Sequence, residues 1–390
     1  MEPSSPPLAG VLVLDLTRAV TGPFCTMTLA DLGARVIKVE EPGTGDETRH
    51  WGPPFVDGES AYFLGVNRGK ESIELNLKEP RDLEIARRLA AKADVVIENF
   101  RPGVADRLGV GYEQLRAANP KLIYASISGF GQTGPFREKP GYDLLAQALS
   151  GFMRLSASPG GPPVKAGFPV ADILAGMFAG QAILAALYRR QRTGEGAYVE
   201  IALLESILAA MCSISAQFLL TGQEPVSMGI GQSNIVPYQV FQCQDESIII
   251  GAPNDRLWQR FCQALDQPGW LAEERYATNA SRTVHRAELV TQIEAVLAAR
   301  PAADWLRRLE EFEVPCAPIN SLGRIFSHPQ VLARNFAVEV DHSRLGPIKL
   351  VGSPLHFAGF EPPRQAPPLL GEHTEKILSE LDHPVTEPRP

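Results

Sequence analysis

Asp172, in Lys165-Ala-Gly-Phe-Pro-Val-Ala-Asp172-Ile-Leu-Ala-Gly-Met, stands between a Gly/Pro-rich run (Ser158 to Pro163) and a segment with the texture of a long helix, Ile173 to Arg192. A carboxylate at a helix start lies against free backbone N–H groups and the positive end of the helix dipole. That setting favours the ionised form, in which a carboxylate acts as a nucleophile. Local grounds leave two roles open. Asp is a common N-cap, worth about 0.5–2 kcal/mol to a helix, and the same position suits covalent chemistry. A second group of residues carries charge or amides at or near expected strand ends: Arg18, Lys38, Lys78, Asn99, Arg101, Arg107, Arg137 and Lys139. Any one alone is solvated surface by default. Several on one side of a sheet suit a phosphorylated ligand, because Arg and Lys pair with phosphate.

The elements that must position these residues alternate. Val11–Asp15, Arg35–Glu40, Asp94–Glu98 and Lys121–Ile127 read as strands, with helices at Phe24–Leu32 and Arg81–Lys92 between them. Such alternation predicts an α/β fold with a parallel sheet. Ligands of these sheets sit beyond the carboxyl ends of the strands, which puts Arg18, Asn99 and Arg101 on the binding side. No G-x-G-x-x-G follows the first strand, which disfavours an NAD-dependent dehydrogenase. Serine-hydrolase, zincin and Walker A sequences are also absent. Seven histidines are scattered without metal-ligand spacing, so no metal site is expected.

Past the long helix, Ala197–Ile201 reads as a strand and Leu203–Leu220 as mostly helical. The texture changes after the Gly/Gln/Pro-rich stretch Thr221–Gly231. Two strands (Tyr238–Cys243, Ser247–Gly251) and helices near Leu257–Leu265, Ala287–Ala299 and Ala303–Phe312 suggest a smaller α+β domain of about 100 residues. The expected layout is a large domain over 1–220, the small domain over 221–329, and a return to the large domain over 330–390. The chain has 390 residues, of which 44% are apolar and 21% charged, normal for a globular protein. Thirty-seven basic against 45 acidic residues give −8, which argues against a nucleic-acid partner. No secretory pattern opens the sequence, and Gln, Arg or Ser is expected to break every apolar run before membrane-spanning length. Five scattered cysteines without a CxxC pair suggest a reduced cytoplasm.

Six motifs then fall in order. They are Asp15-Leu-Thr-Arg-Ala-Val-Thr-Gly-Pro23, Asp31-Leu-Gly-Ala-Arg-Val-Ile-Lys-Val-Glu40, Arg68-Gly-Lys-Glu-Ser-Ile-Glu-Leu-Asn-Leu-Lys78, Ala93-Asp-Val-Val-Ile-Glu-Asn-Phe-Arg-Pro-Gly103, Gly141-Tyr-Asp-Leu-Leu-Ala-Gln-Ala-Leu-Ser-Gly151 and the Asp172 segment. Together they resemble the family III CoA-transferases, the group of formyl-CoA transferase, carnitine CoA-transferase and α-methylacyl-CoA racemase. The resemblance runs from about Leu8 to the C-terminus. It implies a Rossmann-like large domain completed by the C-terminal segment, and a homodimer whose chains are threaded through one another. It implies no permanent cofactor, a CoA thioester as co-substrate, and Asp172 as the nucleophile that forms covalent intermediates. Backbone N–H groups at the start of its helix would then stabilise tetrahedral oxyanions.

The CoA contacts implied by the resemblance are Arg18, Val20, Leu75, Lys78, Asn99, Phe100, Arg107, Lys139, Tyr142 and Asp143. Glu41 departs from formyl-CoA transferase, which has Arg there. The racemase branch begins its motif Gly-His-Asp, and this chain reads Gly141-Tyr142-Asp143. A Tyr, with an unperturbed pKa near about 10, is a poor base beside His at neutral pH. Transfer is therefore favoured over racemisation, and an intact Asp172 disfavours a catalytically silent CoA-binding homologue. The stretch from Met228 to Phe241, ending Ile-Val-Pro-Tyr-Gln-Val-Phe, resembles the branch that uses succinyl-CoA and dicarboxylic acids.

Overall fold

The computed structural model describes residues 5–227 and 229–383; Met228, in the stretch used for the branch assignment, lies outside them. In chain order the elements are β1 (Leu12–Asp15), α1 (Thr21–Asp31), β2 (Arg35–Glu40), β3 (Phe55–Val56), β4 (Glu59–Ser60), α2 (Ala61–Val66), β5 (Lys70–Glu74), α3 (Pro80–Lys92), β6 (Val95–Glu98), α4 (Val104–Leu108), α5 (Tyr112–Ala118) and β7 (Ile123–Ser128). They continue with α6 (Asp143–Leu149), α7 (Phe152–Leu155), α8 (Val170–Thr193), β8 (Ala197–Ala202), α9 (Leu203–Ala210) and α10 (Cys212–Thr221). Six strands pair in the order β5-β2-β1-β6-β7-β8, all parallel. Counted along the chain within this sheet, that is the 3-2-1-4-5-6 order of the doubly wound fold. Strands β1, β2, β6 and β7 are buried on both faces; β1 and β6 therefore read as short apolar runs, while β2 and β7 carry buried polar residues among their apolar ones.

β5 is the strand the apolar pattern does not reveal. Its sequence, Lys70-Glu-Ser-Ile-Glu74, is mostly polar, and ion pairs hold it at the sheet edge. Lys70 reaches Asp15 at 3.1 Å, with both side chains buried, while Glu71 takes Arg35 and Lys376 at 2.7 Å each. Residues from the far end of the chain close over it. Ser72 receives the Gly371 N–H on Oγ (2.9 Å) and the His373 N–H on its carbonyl (3.0 Å). The helix Thr374–Asp382 then buries Ile377 and Leu381, worth about 1.5–3 kcal/mol each.

Helix α8 crosses the other face against α1. Small residues make the approach possible: a Cβ on Gly176 would stand 2.7 Å from the Thr21 carbonyl oxygen. Contrary to the expectation from its sequence, α8 does contain an apolar window long enough to cross a membrane. Here Ala171, Ala175, Ala179 and Ile183 of that window are core residues of the sheet's layer. The Leu203–Leu220 segment is two helices, α9 and α10, bent by 83°.

The chain divides into two compact units. One runs through Phe152, resumes over Lys165–Ala216 and again from Pro329; the other comprises Met153–Val164 and Gln217–His328. The stretch Met153–Val164, expected in the large domain, thus joins the second unit. That unit has its own antiparallel sheet, Cys316–Pro318 beside Ser247–Gly251 beside Tyr238–Gln242. Its separate core is built around Phe241, Trp258, Phe261, Trp270 and Trp305.

Candidate active site

The sheet order reverses between β1 and β6, so the loops after these two strands diverge and leave a crevice. Arg18 and Asn99 meet there. The Arg18 N–H donates to Asn99 Oδ1 (2.9 Å), and Asn99 Nδ2 donates back to the Arg18 carbonyl (2.8 Å). The Arg18 guanidinium lies 5.8 Å from the centroid of the Phe100 ring. Beneath them buried Glu98 accepts the Phe100 N–H at 2.7 Å, and burial pushes its carboxyl up to about 7.

The loop after β1 is built on buried charge. Asp15 takes the hydroxyls of Thr17 and Thr26, the latter at 2.6 Å, and the Lys70 ammonium. Lys38 donates to the Thr17 carbonyl (2.7 Å) and pairs with Asp46 at 2.9 Å. Asp46 in turn accepts the N–H of Ala19 at 3.2 Å. Ala19 has a φ of 64°, a left-handed conformation that a residue with a Cβ rarely adopts. Residues held this way persist where surrounding contacts over-determine them. That turn delivers Thr21, whose hydroxyl donates to Asp172 Oδ1 at 2.5 Å.

Asp172 sits inside the first turn of α8, not at its cap. Pro169 occupies the N-cap position without a side-chain hydrogen bond. The cap comes from another element: Asp143 Oδ1 accepts the N–H groups of Ala171 (2.8 Å) and Asp172 (3.4 Å). Its second oxygen takes Gln147 Nε2 at 2.6 Å, and Gln147 Oε1 accepts the Ala166 N–H at 2.8 Å. Buried Gln147 therefore ties the approach segment to the start of the helix. The loop before Asp143 lies on the end of β7 through two glycines. A Cβ on Gly129 would be 2.3 Å from the Gly141 Cα, and one on Gly141 would be 2.2 Å from the Gly129 Cα.

Two expectations change as a result. Burial pushes the Asp172 carboxyl up to about 6, with the Asp143 charge adding and the Thr21 hydroxyl opposing. The helix start does not hold it below its ordinary value, because desolvation outweighs the dipole. The Ala171 and Asp172 N–H groups are also committed to Asp143, so they are not the expected oxyanion donors.

Asp172 opens on a cavity of about 610 Å³, also lined by Arg18, Val20, Asn99, Phe100, Tyr142 and Asp143. Seven of the residues expected at the site are thus brought together. Leu75, Lys78, Arg107 and Lys139 are not in that lining. The Leu75 side chain is core, which leaves only its backbone to a ligand, and Lys78 is exposed two residues past Asn76. Arg107 and Arg137 both approach the space above Gly103, where a Cβ would lie 3.4 Å and 3.8 Å from their guanidinium nitrogens. The Lys139 ammonium stands 3.6 Å over the Phe136 ring. Glu41 is also outside the lining.

Sequence reasoning missed Thr21, Gln147, Trp51, Tyr62 and Lys165. Thr21, Gln147 and Lys165 stood within motifs already noted, but Thr21 meets a carboxylate 151 residues on and Gln147 reaches the Ala166 N–H 19 residues on. Trp51 and Tyr62 pack edge to face at 5.1 Å on the cavity wall, and burial with the Asp172 and Asp143 charges pushes the Tyr62 phenol up. No histidine is found among the described residues of the lining. The site can present a carboxylate that ionises near neutrality, aromatic surface, and cations supplied by Arg18, Arg101 and Lys165.

Fold and site define an α/β enzyme with a carboxylate at the ligand-binding crevice of a doubly wound sheet. Residues 8–374 match CoA-transferase family III, and the chain belongs to that family. Over 97% of its length it is 44% identical to succinyl-CoA:glutarate CoA-transferase of Mus musculus, covering 87% of that protein. It is 40% identical to acetyl-CoA:oxalate CoA-transferase of Acetobacter aceti, covering 97% of this chain and 96% of that one. Among solved structures, a CAIB/BAIF family protein from Brucella suis matches with a TM-score of 0.88 and 39% identity, over 97% of this chain and all of that one. The protein is a CoA-transferase, and coenzyme A thioesters are the co-substrates of its class.

Proposed function

We propose that the enzyme moves CoA from succinyl-CoA, or a similar thioester, to a small dicarboxylic acid through covalent intermediates on Asp172. An ionised Asp172 oxygen attacks the donor thioester carbon, the C–S bond breaks, and CoA thiolate leaves a mixed anhydride. The thiolate attacks the aspartyl carbonyl carbon, releasing the donor acid and forming an aspartyl-CoA thioester. The acceptor carboxylate then attacks that carbon and expels CoA thiolate. Attack of the thiolate on the acceptor's carbonyl gives the new thioester and restores Asp172. A carboxylate nucleophile divides one difficult exchange into easier steps.

The observation that carries this reading is the placement of Asp172 on the cavity wall, oriented by Thr21 and raised to about 6. At neutral pH most of it is ionised, yet it remains more basic than an ordinary Asp. Tyr142, where the racemase branch has His, supports transfer over racemisation. The relatives' acceptors, glutarate and oxalate, are both dicarboxylates. CoA would lie along Arg18, Val20, Asn99 and Phe100, with Arg107 and Lys139 toward its phosphates. Incubation with succinyl-CoA should leave an adduct on the Asp172 peptide that hydroxylamine converts to a hydroxamate. An unmodified Asp172 under turnover conditions would sink the covalent route.

We also propose an obligate, interlocked homodimer. Helix α10, Cys-Ser-Ile-Ser-Ala-Gln-Phe-Leu-Leu-Thr, buries no residue, with Leu219 and Leu220 80% and 86% exposed. Apolar surface of this kind suits cover by a second copy. Sedimentation across a wide dilution range should show one dimeric species, and a folded, active monomer of 42.4 kDa would overturn the proposal.

A further inference from the structure

We infer that Lys165 is the counter-charge for the far carboxylate of a dicarboxylic acyl group, in donor and acceptor alike; this rests on the transferase reading above. Lys165 lines the cavity that holds Asp172. Its ammonium donates to the Ala166 carbonyl at 3.1 Å, and no carboxylate pairs with it among the described residues. The cavity's other two cations have different stations. Arg18 and Arg101 stand on the loops after β1 and β6, Arg18 near the Phe100 ring and Arg101 next to Phe100 in the chain, in the crevice of the doubly wound sheet. That edge is where a nucleotide's phosphates bind in such folds. Lys165 comes instead on the segment that leads into α8, the helix bearing the nucleophile.

The backbone beside it is fixed. Gln147, buried by the core, holds the Ala166 N–H with one end of its amide and Asp143 with the other. The lysine is thereby stationed by the same network that caps the Asp172 helix, while its four-carbon stem stays free to reach. A flexible point charge of this type accepts carboxylates at several distances, where a rigid guanidinium fork would select one geometry.

Charge accounting supports the same conclusion. Glu47, Asp143 and Asp172 balance Arg18, Arg101 and Lys165 in the lining. A dicarboxylate whose reacting end is at Asp172 brings one further negative charge into this space. Without a cation near its far end, that carboxylate would lose its hydration with nothing in return. Donor acyl group and acceptor acid both react at Asp172, in turn, so each places its far end in the same region. One cation therefore serves both halves of the cycle.

The experiment compares wild type, Lys165→Ala and Lys165→Arg in steady-state transfer, with paired substrates of matched length. Succinyl-CoA is set against butyryl-CoA as donor, and glutarate against valerate as acceptor. Lys165→Ala should raise KM about tenfold or more for succinyl-CoA and glutarate, with KM for butyryl-CoA and valerate within about twofold of wild type. Lys165→Arg, which keeps the charge but not the adaptable reach, should recover part of the difference. Equal rises for both donors would assign Lys165 to the CoA moiety and overturn the inference, as would no change at all. A wild-type enzyme that transfers CoA but does not prefer dicarboxylates would overturn it too, leaving the transferase reading intact. Loss of the Asp172 adduct in wild type would instead remove that reading, and this inference with it.

Discussion

Asp172→Ala is expected to lower CoA transfer by about 10⁴-fold or more, because the nucleophile of every covalent step is gone. CoA-thioester affinity should stay within a few-fold of wild type, since Arg18, Asn99 and Phe100 belong to the sheet edge and Asp172 to α8. Ala is a good helix former, so the first turn of α8 should survive. The Thr21 hydroxyl, buried at 4% exposure, loses its acceptor, a cost of about 1–3 kcal/mol in stability. Calorimetric binding of a non-reacting CoA ligand, circular dichroism and turnover separate these effects. Wild-type turnover in the variant would show the aspartyl mechanism to be wrong. Asp172→Asn is a less clean test, because deamidation regenerates the acid.

Substitution at Asp143 should give the next largest change, and its two forms should differ in kind. In wild type, activity follows the ionised fraction of Asp172, so kcat/KM should rise with pH through about 6 and level off above it. Asp143→Asn keeps an oxygen for the Ala171 and Asp172 N–H groups but removes a negative charge that raises Asp172. The acid limb should therefore move to lower pH, with a modest loss from mismatching the Gln147 amide. Asp143→Ala removes the cap and the Gln147 tether together. The start of α8 then loses about 1–2 kcal/mol of capping, and misplacement of Asp172 should cost about 100-fold in kcat. An unchanged acid limb in Asp143→Asn would eliminate the electrostatic role, leaving only the cap.

The parallel sheet was legible because β1, β2, β6 and β7 are buried on both faces and each carries a cluster of apolar residues. β5 was not, because its neighbours supply charge instead of apolar surface: Lys70 is only sensible in a strand once Asp15, 55 positions away, is known to face it. Asp172 was legible as a residue of interest from its place before a helix. Its local role was not, because the helix begins one turn earlier and its cap arrives from Asp143, 28 residues back from the first N–H it receives. Thr21 shows the same limit. Its hydroxyl meets a carboxylate 151 residues on, a pairing no window of sequence can contain. The shift of Asp172 to about 6 likewise depends on how much protein surrounds it, which spacing does not encode.

The closure of β5 by Gly371, His373 and the helix Thr374–Asp382 has a consequence for how the protein is made. Ser72 leaves the ribosome 301 residues ahead of His373, its hydrogen-bonding partner. At roughly 5–20 residues per second, about 15–60 s separate the two. Throughout that interval the core under β5 lacks Ile377 and Leu381, and the strand's outer edge lacks its cover. An unpaired strand edge is a template for pairing with other chains. The second unit draws most of its chain from one uninterrupted stretch and can complete its core while the first is still waiting. Nascent chains are thus exposed to association before release, and the polar sequence of β5 is the feature that keeps that edge from being sticky.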